Sequence, residues 1–273
     1  MTVMATVTTP TLNPVGTMLR RWRAHRSISQ LDLAYDVGVS PRHLSFVETG
    51  KSRPSPKLIE TLAARLEIPL RERNALLVAA GHAPRYTEQP LDAEAMTRVR
   101  TSIQRVLDAH NPNVGVALDR TWNVVLANDA AARLLTSLPE SQRTTPVNLF
   151  RASLHPDGFA RMTRNFDVWG RYLVDLLHRL ARVTGDDRLA ALETEIATYP
   201  TVIALDESPA LPGPGEPTLL VPLELDVGGQ ELSFFSTLTT FGSPRDITLE
   251  EMTIELFYPA DATTESWVAM MQR

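Results

Sequence analysis

SQLDLAYDVGVSPRHLSFVETGKS, residues 29–52, reads as helix, tight turn, helix. Ser29 is a good N-cap, because its hydroxyl can accept a hydrogen bond from a free first-turn amide. Leu31, Ala34 and Val37 recur at three-residue steps, which predicts one apolar face. Gly38 follows directly and can take the left-handed conformation that ends a helix. Ser40 then caps a second helix with Pro41 at its first position, where no amide donor is missed. Leu44 and Val47 give this helix a narrow apolar stripe, with Arg42, His43 and Ser45 on its outer faces. Two short helices joined at a glycine, the second presenting polar side chains, make a helix-turn-helix. Such a unit can present a helix to the major groove of DNA.

Working outward, Val15–Arg26 is expected to be a first helix, with Val15, Met18, Leu19 and Trp22 on one face. Lys51-Ser-Arg-Pro-Ser-Pro forms a basic loop. Pro56–Leu66, with Leu58, Leu62, Ala63 and Leu66 inward, and Leu70–Ala80, closed by Gly81, complete an all-α domain of five helices. Base edges are reached from the N-terminal part of the second motif helix, which nominates Ser40, Pro41, Arg42 and Ser45. Arg42 can pair with guanine O6 and N7 through its two-pronged guanidinium. Lys51 and Arg53 follow that helix, where the phosphate backbone passes, and are expected to position the protein.

The segment SQLDLA…VGVS…HLSFVETGKSRPS, with its E-x-G-K-x-x-P ending, resembles the XRE-type, phage repressor/Cro-like DNA-binding domain from about Val15 to Gly81. The resemblance implies that Gln30 contacts phosphate and approaches a base. It also implies an ion pair between Arg23 and Glu48 inside the domain.

The chain has 273 residues, no cysteine and a net charge of −5. That length predicts two domains. Missing cysteines exclude disulfides and thiolate metal sites and fit a reducing cytoplasm. No apolar run of about 18 residues occurs, so no membrane span is expected. The start, MTVMATVTTPTLNP, lacks the features of a signal peptide and reads as a frayed leader over residues 1–14. The charge is unevenly divided. Residues 1–90 hold twelve Lys and Arg against seven Asp and Glu, and the remainder holds fifteen against twenty-five. A basic module joined to an acidic one fits a DNA-binding head on a domain that does not touch DNA.

The head is expected to span 15–85, followed by a linker and connecting helix over 86–112. The second domain then covers 113–273. It opens with a hairpin, Val114–Leu118 and Trp122–Ala127 around Asp119-Arg-Thr. Helices are predicted at Asn128–Leu135, Val147–Leu154, Phe159–Val183 and Leu189–Tyr199, then a Pro/Gly loop at Pro209–Pro217. Strands are predicted at Thr218–Val227, Glu231–Thr240 and Thr248–Tyr258, the first two joined at Gly228-Gly229, and a last helix at Asp261–Gln272. Two strands, several helices and three strands make an α+β order. It predicts a PAS-like, five-stranded antiparallel sheet with helices over one face.

The segments NLFRASLHPDGFA and FSTLTTFGSPRDITLEEMTIELFYPAD resemble the ligand-binding half of MmyB-like transcription regulators. That resemblance implies a small apolar ligand, with fatty acids the leading class. Leu154, Phe159, Met162, Phe166, Trp169, Leu173, Leu225 and Phe234 are the candidate lining, and Arg151 the candidate head-group contact beside Arg164 and His155. The partners expected are double-stranded operator DNA and that ligand, with the chain acting as a homodimer. A bound fatty acid apart, no cofactor is expected. The six histidines are scattered without metal spacing, and no P-loop, GxGxxG or G-x-S-x-G occurs, so neither metal nor catalysis is expected. Two alternatives remain: a constitutive repressor whose second domain only dimerises, and an enzyme with a DNA-binding appendage.

Overall fold

The computed structural model describes residues 14–207 and 220–270. The leader before residue 14 and the Pro209–Pro217 loop lie outside the described residues. The chain divides into two compact units, residues 1–89 with 243–250, and residues 90–242 with 251–273.

The first unit holds α1 Pro14–His25, α2 Gln30–Asp36, α3 Pro41–Glu48, α4 Pro56–Arg65 and α5 Leu70–Ala79. Its core joins Leu19 and Trp22 of α1, Leu33 and Ala34 of α2, Leu44 and Val47 of α3, and side chains of α4 and α5. The face expected of α2 needs one correction. Leu31 is 51% exposed, whereas Leu33 is fully buried. At 3.6 residues per turn, Leu33, Ala34 and Val37 fall within one arc of the helix and Leu31 lies beyond its edge. In α4, Ile59 is buried together with Leu62 and Ala63, while Leu58 is only partly covered.

His82–Pro90, which has no periodicity, is pinned along this unit. Asn74 Oδ1 accepts from the amides of Arg85 and Tyr86, and the Tyr86 hydroxyl donates to Glu60 at 2.6 Å. The remote segment Ser243–Glu250 is stitched to the same unit. Thr87 and Asp246 form an isolated parallel bridge, and the Thr87 hydroxyl donates to Asp246 Oδ2 at 2.7 Å. Residues 248–252, expected in a strand, instead contain the end of a helical turn, α12 Ile247–Glu250. Helix α5 has Pro69 at its N-cap, which offers no side-chain hydrogen bond. Glu250 supplies one from 180 residues away, accepting from the Leu70 amide at 2.6 Å.

The second unit is built on a five-stranded antiparallel sheet in the order β2-β1-β5-β4-β3. The strands are β1 Gly115–Leu118, β2 Val124–Ala127, β3 Leu223–Val227, β4 Gln230–Thr240 and β5 Thr253–Pro259. Gly228 and Gly229 join β3 to β4 with φ of 64° and 84°, the positive angles a two-residue hairpin turn needs. Helices cover both faces, not one. On one face Ile103 and Leu107 of α6 Thr97–Ala109 pack with Ala117 and Ile254. Facing the other way, Val116 and Leu118 pack with Trp169, Leu173 and Leu177. The helix expected to connect the domains is therefore part of this core.

Around the second face run α7 Asp129–Thr136, α8 Leu149–Leu154, α9 Phe166–Thr184, α10 Asp187–Ile196 and α11 Pro200–Glu207. Asn128 and Asn148 cap α7 and α8, accepting from Ala131 and Arg151 amides. The single long helix expected from Phe159 is broken. Phe159–Met162 is a short 3-10 turn, and Thr163 pairs with Leu225 as an isolated bridge. Asn165 then accepts from the Glu224 amide and donates to Pro222 O, so the sheet edge captures the backbone before α9 begins. Helix α13 Ala262–Met270 closes the described chain, with Val268 packed beside Leu225, Leu232 and Phe234.

Candidate nucleic-acid interface and ligand core

The turn between α2 and α3 is held as the sequence dictates. Ser29 and Ser40 accept from the amides of Asp32 and His43. Gly38 sits at φ 72°. Pro41 opens α3, and Arg42 projects from its first turn as an exposed side chain. The guanidinium carbon of Arg42 lies 5.3 Å from the centroid of the Phe46 ring, and Lys51 Nζ lies 5.7 Å from it. Ser40 is exposed, and Pro41 and Ser45 are half-buried on the same short helix. Phe46 was not nominated from sequence. Its spacing of four from Arg42, one turn along the same helix face, was the available signal.

Behind α3, Arg23 meets Glu48 in a two-pronged pair, Nε to Oε1 at 2.9 Å and NH2 to Oε2 at 3.1 Å. The Glu48 side chain is 1% exposed. Hydrogen bonds donated to Glu48 hold the Arg23 guanidinium above its ordinary range, against the opposing effect of burial. Gln30 Nε2 donates to Glu48 Oε2 at 2.8 Å, so its amide nitrogen already serves this buried carboxylate. The basic loop divides in two. Lys51 is exposed. Arg53, expected at a phosphate, donates to the carbonyls of Ala80 and Gly81 at the end of α5. Those carbonyls have no partner within their own helix, so a cation there is favoured. The Arg53 guanidinium thus ties the loop to the domain.

In the second unit the nominated apolar residues fall into two adjoining clusters. Leu154, Trp169 and Leu173 are buried together, with Phe166 partly covered against them. Leu225 and Phe234 are buried with Met162 against them, and Phe257 and Leu223 touch both groups. Phe159 is half-buried in the 3-10 turn.

The nominated head-group contact is already paired. Arg151 meets Glu195 through Nε at 2.7 Å and NH2 at 2.6 Å, and the Tyr199 hydroxyl donates to the same carboxylate at 2.7 Å. The Arg151 guanidinium holds Glu195 below the usual carboxylate range. Arg164 is paired with Glu231. His155 Nδ1 accepts from the Asp157 amide at 3.1 Å.

Sequence reading missed Glu255. It lies mid-strand in β5, 4% exposed, with Oε2 lacking a hydrogen-bond partner. Burial pushes its carboxyl up to about 7, and a hydrogen bond from Ser236 opposes that rise. The signal was a single acidic residue inside the apolar strand TIELFYP. Among the described residues, no group of His, Cys, Asp and Glu could hold a metal ion, and no helix is long and apolar enough to cross a membrane.

Residues 99–271 match the family model of the MmyB-like transcription regulator ligand binding domain, and residues 19–73 match a helix-turn-helix model. A curated relative is described as an uncharacterized HTH-type transcriptional regulator, RghRB, of Bacillus subtilis (strain 168). It is 35% identical over 83 residues, which are 30% of this chain and 58% of that protein. The chain therefore spans little more than half the length of that relative. Likeness to a solved structure, the clp gene regulator ClgR from Corynebacterium glutamicum, is slight. It has a TM-score of 0.22 at 24% identity, over 36% of this chain and 90% of that one.

Proposed function

The chain belongs to the family of MmyB-like transcription regulators, and on that premise we propose that it is a ligand-responsive, sequence-specific DNA-binding regulator and not an enzyme. In this reading α3 enters the major groove of operator DNA. Arg42 reads a guanine, Ser40, Pro41 and Ser45 approach neighbouring base edges, and Lys51 meets phosphate. The observation that carries the reading is the exposed Arg42 and Lys51 disposed about one ring, Phe46, on the second helix of the motif. The basic excess of residues 1–90 supports it, since cations drive association with a phosphate backbone. Gln30 serves in the same reading through the face of its amide not used by Glu48.

One head offers few contacts for tight, selective binding. The active species is therefore a homodimer on an inverted repeat, with half-sites about 34–36 Å apart or a multiple. It acts in the cytoplasm, and the second unit takes a small, mostly aliphatic molecule. A fatty acid is the first such class to test, since each buried methylene contributes about 0.8 kcal/mol. Ligand that prefers one arrangement of the dimer shifts DNA affinity by the same coupling energy, typically about 1–3 kcal/mol. Selection of bound duplexes from a randomised library tests the whole reading. Enrichment of an inverted repeat with an invariant G·C pair in each half-site is expected. Recovery of unenriched sequence would overturn it.

A further inference from the structure

The chain lays backbone along the outer strands of the sheet. Beside β2, the Val124 amide donates to Val147 O at 2.8 Å, and Asn123 forms a bridge with Asn148. Beside β3, the Arg164 amide donates to Glu224 O at 2.8 Å, and Thr163 forms a bridge with Leu225. Strand β4 outruns β3. Their pairing stops at Leu223 and Phe234, while β4 continues along β5 to Thr240. Among the described residues, none pairs with the far side of β4 from Phe235 to Thr240, and Thr237–Thr240 are exposed.

Which amides face that open side follows from strand alternation. The Glu224 carbonyl faces away from β4, so its neighbours Leu223 and Leu225 face β4, and their partners Phe234 and Leu232 face back. Ser233 turns the other way, its carbonyl accepting from the Ala260 amide at 2.8 Å. Continued along the strand, the alternation turns the N–H and C=O groups of Ser236, Leu238 and Thr240 to the open edge.

An open edge is a template for another strand, and charges, proline or a bulge commonly blunt it. Phe235–Thr240 reads FSTLTT, with no charge, proline or glycine, and its register against β5 runs without a shift. The segment also matches itself. Run antiparallel about Leu238, it sets Leu238 against Leu238, Ser236 against Thr240 and Thr237 against Thr239. Leu238, 44% exposed, thereby meets an apolar side chain, and hydroxyls meet hydroxyls. Charge favours the same place. Residues 91–273 hold twenty-five Asp and Glu against fifteen Lys and Arg, so two copies repel, and this edge brings no charge to the contact.

We propose that the β4 edge from Phe235 to Thr240 docks a second copy of this chain, joining the two sheets into one across a two-fold axis at Leu238. The proposal rests on the homodimer reading above and supplies its interface. Each facing pair among Ser236, Leu238 and Thr240 exchanges both of its N–H···O bonds. One strand pair is small beside the interfaces of stable complexes, so the dimer forms as concentration rises.

Hydrogen exchange of the full chain, resolved to single amides, is measured at concentrations spanning the monomer–dimer transition seen by sedimentation. The amides of Ser236, Leu238 and Thr240 should slow with concentration, while those of Thr237 and Thr239, which serve β5, should not change. Leu238→Lys sets like charges opposite each other and should raise the dimer dissociation constant roughly tenfold with the melting midpoint of the monomer kept. The chain has no cysteine, so Leu238→Cys introduces a single thiol. A short bismaleimide should link it into dimers, and should not link Val183→Cys, which is similarly exposed at 46%. A dimer whose three edge amides still exchange freely, and which Leu238→Lys leaves intact, would overturn the edge and leave the homodimer reading standing. Protection of those amides in a monomeric sample would also overturn it, since the chain would then cover its own edge. A chain that stays monomeric at every concentration, with and without its selected duplex, would overturn both.

Discussion

Arg42 lies over Phe46, its guanidinium carbon 5.3 Å from the ring centroid, and Lys51 approaches the same ring at 5.7 Å. A single aromatic ring thus contacts both the cation assigned to a base and the one assigned to phosphate. Phe46→Leu keeps an apolar side chain but removes the quadrupole that attracts both. It should weaken DNA binding by about 0.5–1 kcal/mol with the helical circular dichroism unchanged. Unaltered affinity would make the ring a packing element only.

Arg23 and Glu48 fix the back of α3 from inside the domain. Replacing Arg23 by Met leaves a carboxylate that is 1% exposed without its cation. Breaking such a pair costs about 3–5 kcal/mol when fully buried, and Arg23 is 20% exposed, so about 3 kcal/mol is expected. The urea midpoint measures this. A loss under about 1 kcal/mol would mean that the pair contributes no more than a surface one.

Helix α5 borrows its cap. Glu250→Ala should release the Leu70 amide and cost about 1 kcal/mol, the usual value of an N-cap. Hydrogen exchange at the start of α5 reports it directly. Unchanged protection at Leu70 would assign no cap to Glu250.

Glu255 ties stability to pH. Its carboxyl is raised in the folded state from 4.5 to about 7. For a raised group the favourable contribution is complete below the unfolded value and is lost as pH rises through the folded one. The window is thus about 4.5 to 7, and the amplitude is roughly 3 kcal/mol at 1.36 kcal/mol per unit. Relative to the native chain, Glu255→Gln should be more stable at pH 8 and nearly equal at pH 4.5. Parallel melting curves at the two pH values would contradict the buried, unpaired state of this carboxyl.

Local chemistry made the first unit legible. Ser29, Gly38, Ser40 and Pro41 each state a cap or a turn, and the helices begin and end beside them. Gly228-Gly229 did the same for the hairpin of the second unit. What the sequence concealed depends on partners far along the chain. Leu31 and Leu33 are equally apolar, and tertiary packing decides which is buried. Arg53 reads as a free cation until the end of α5 arrives beside it. The Phe159–Val183 run keeps its apolar pattern through Thr163–Asn165, where the edge of a strand about 60 residues later breaks the helix. Glu255 shows no sequence signal beyond its isolation, because its face of the sheet is set by pairing with β1 and β4.

Base reading by Arg42 is the central claim, and the ratio of affinities for selected and scrambled duplex tests it most directly. The ratio is measured over a salt series for the native chain, Arg42→Ala and Lys51→Ala. Arg42→Ala should lose about 1–3 kcal/mol on the selected duplex and little on the scrambled one, relaxing preference at one base pair of each half-site. Lys51→Ala should weaken both duplexes alike and reduce the salt slope by about 0.9 for each phosphate no longer neutralised. If Arg42→Ala instead weakens both duplexes equally, with the salt slope reduced as for Lys51→Ala, Arg42 holds phosphate and the account of how α3 reads DNA is wrong.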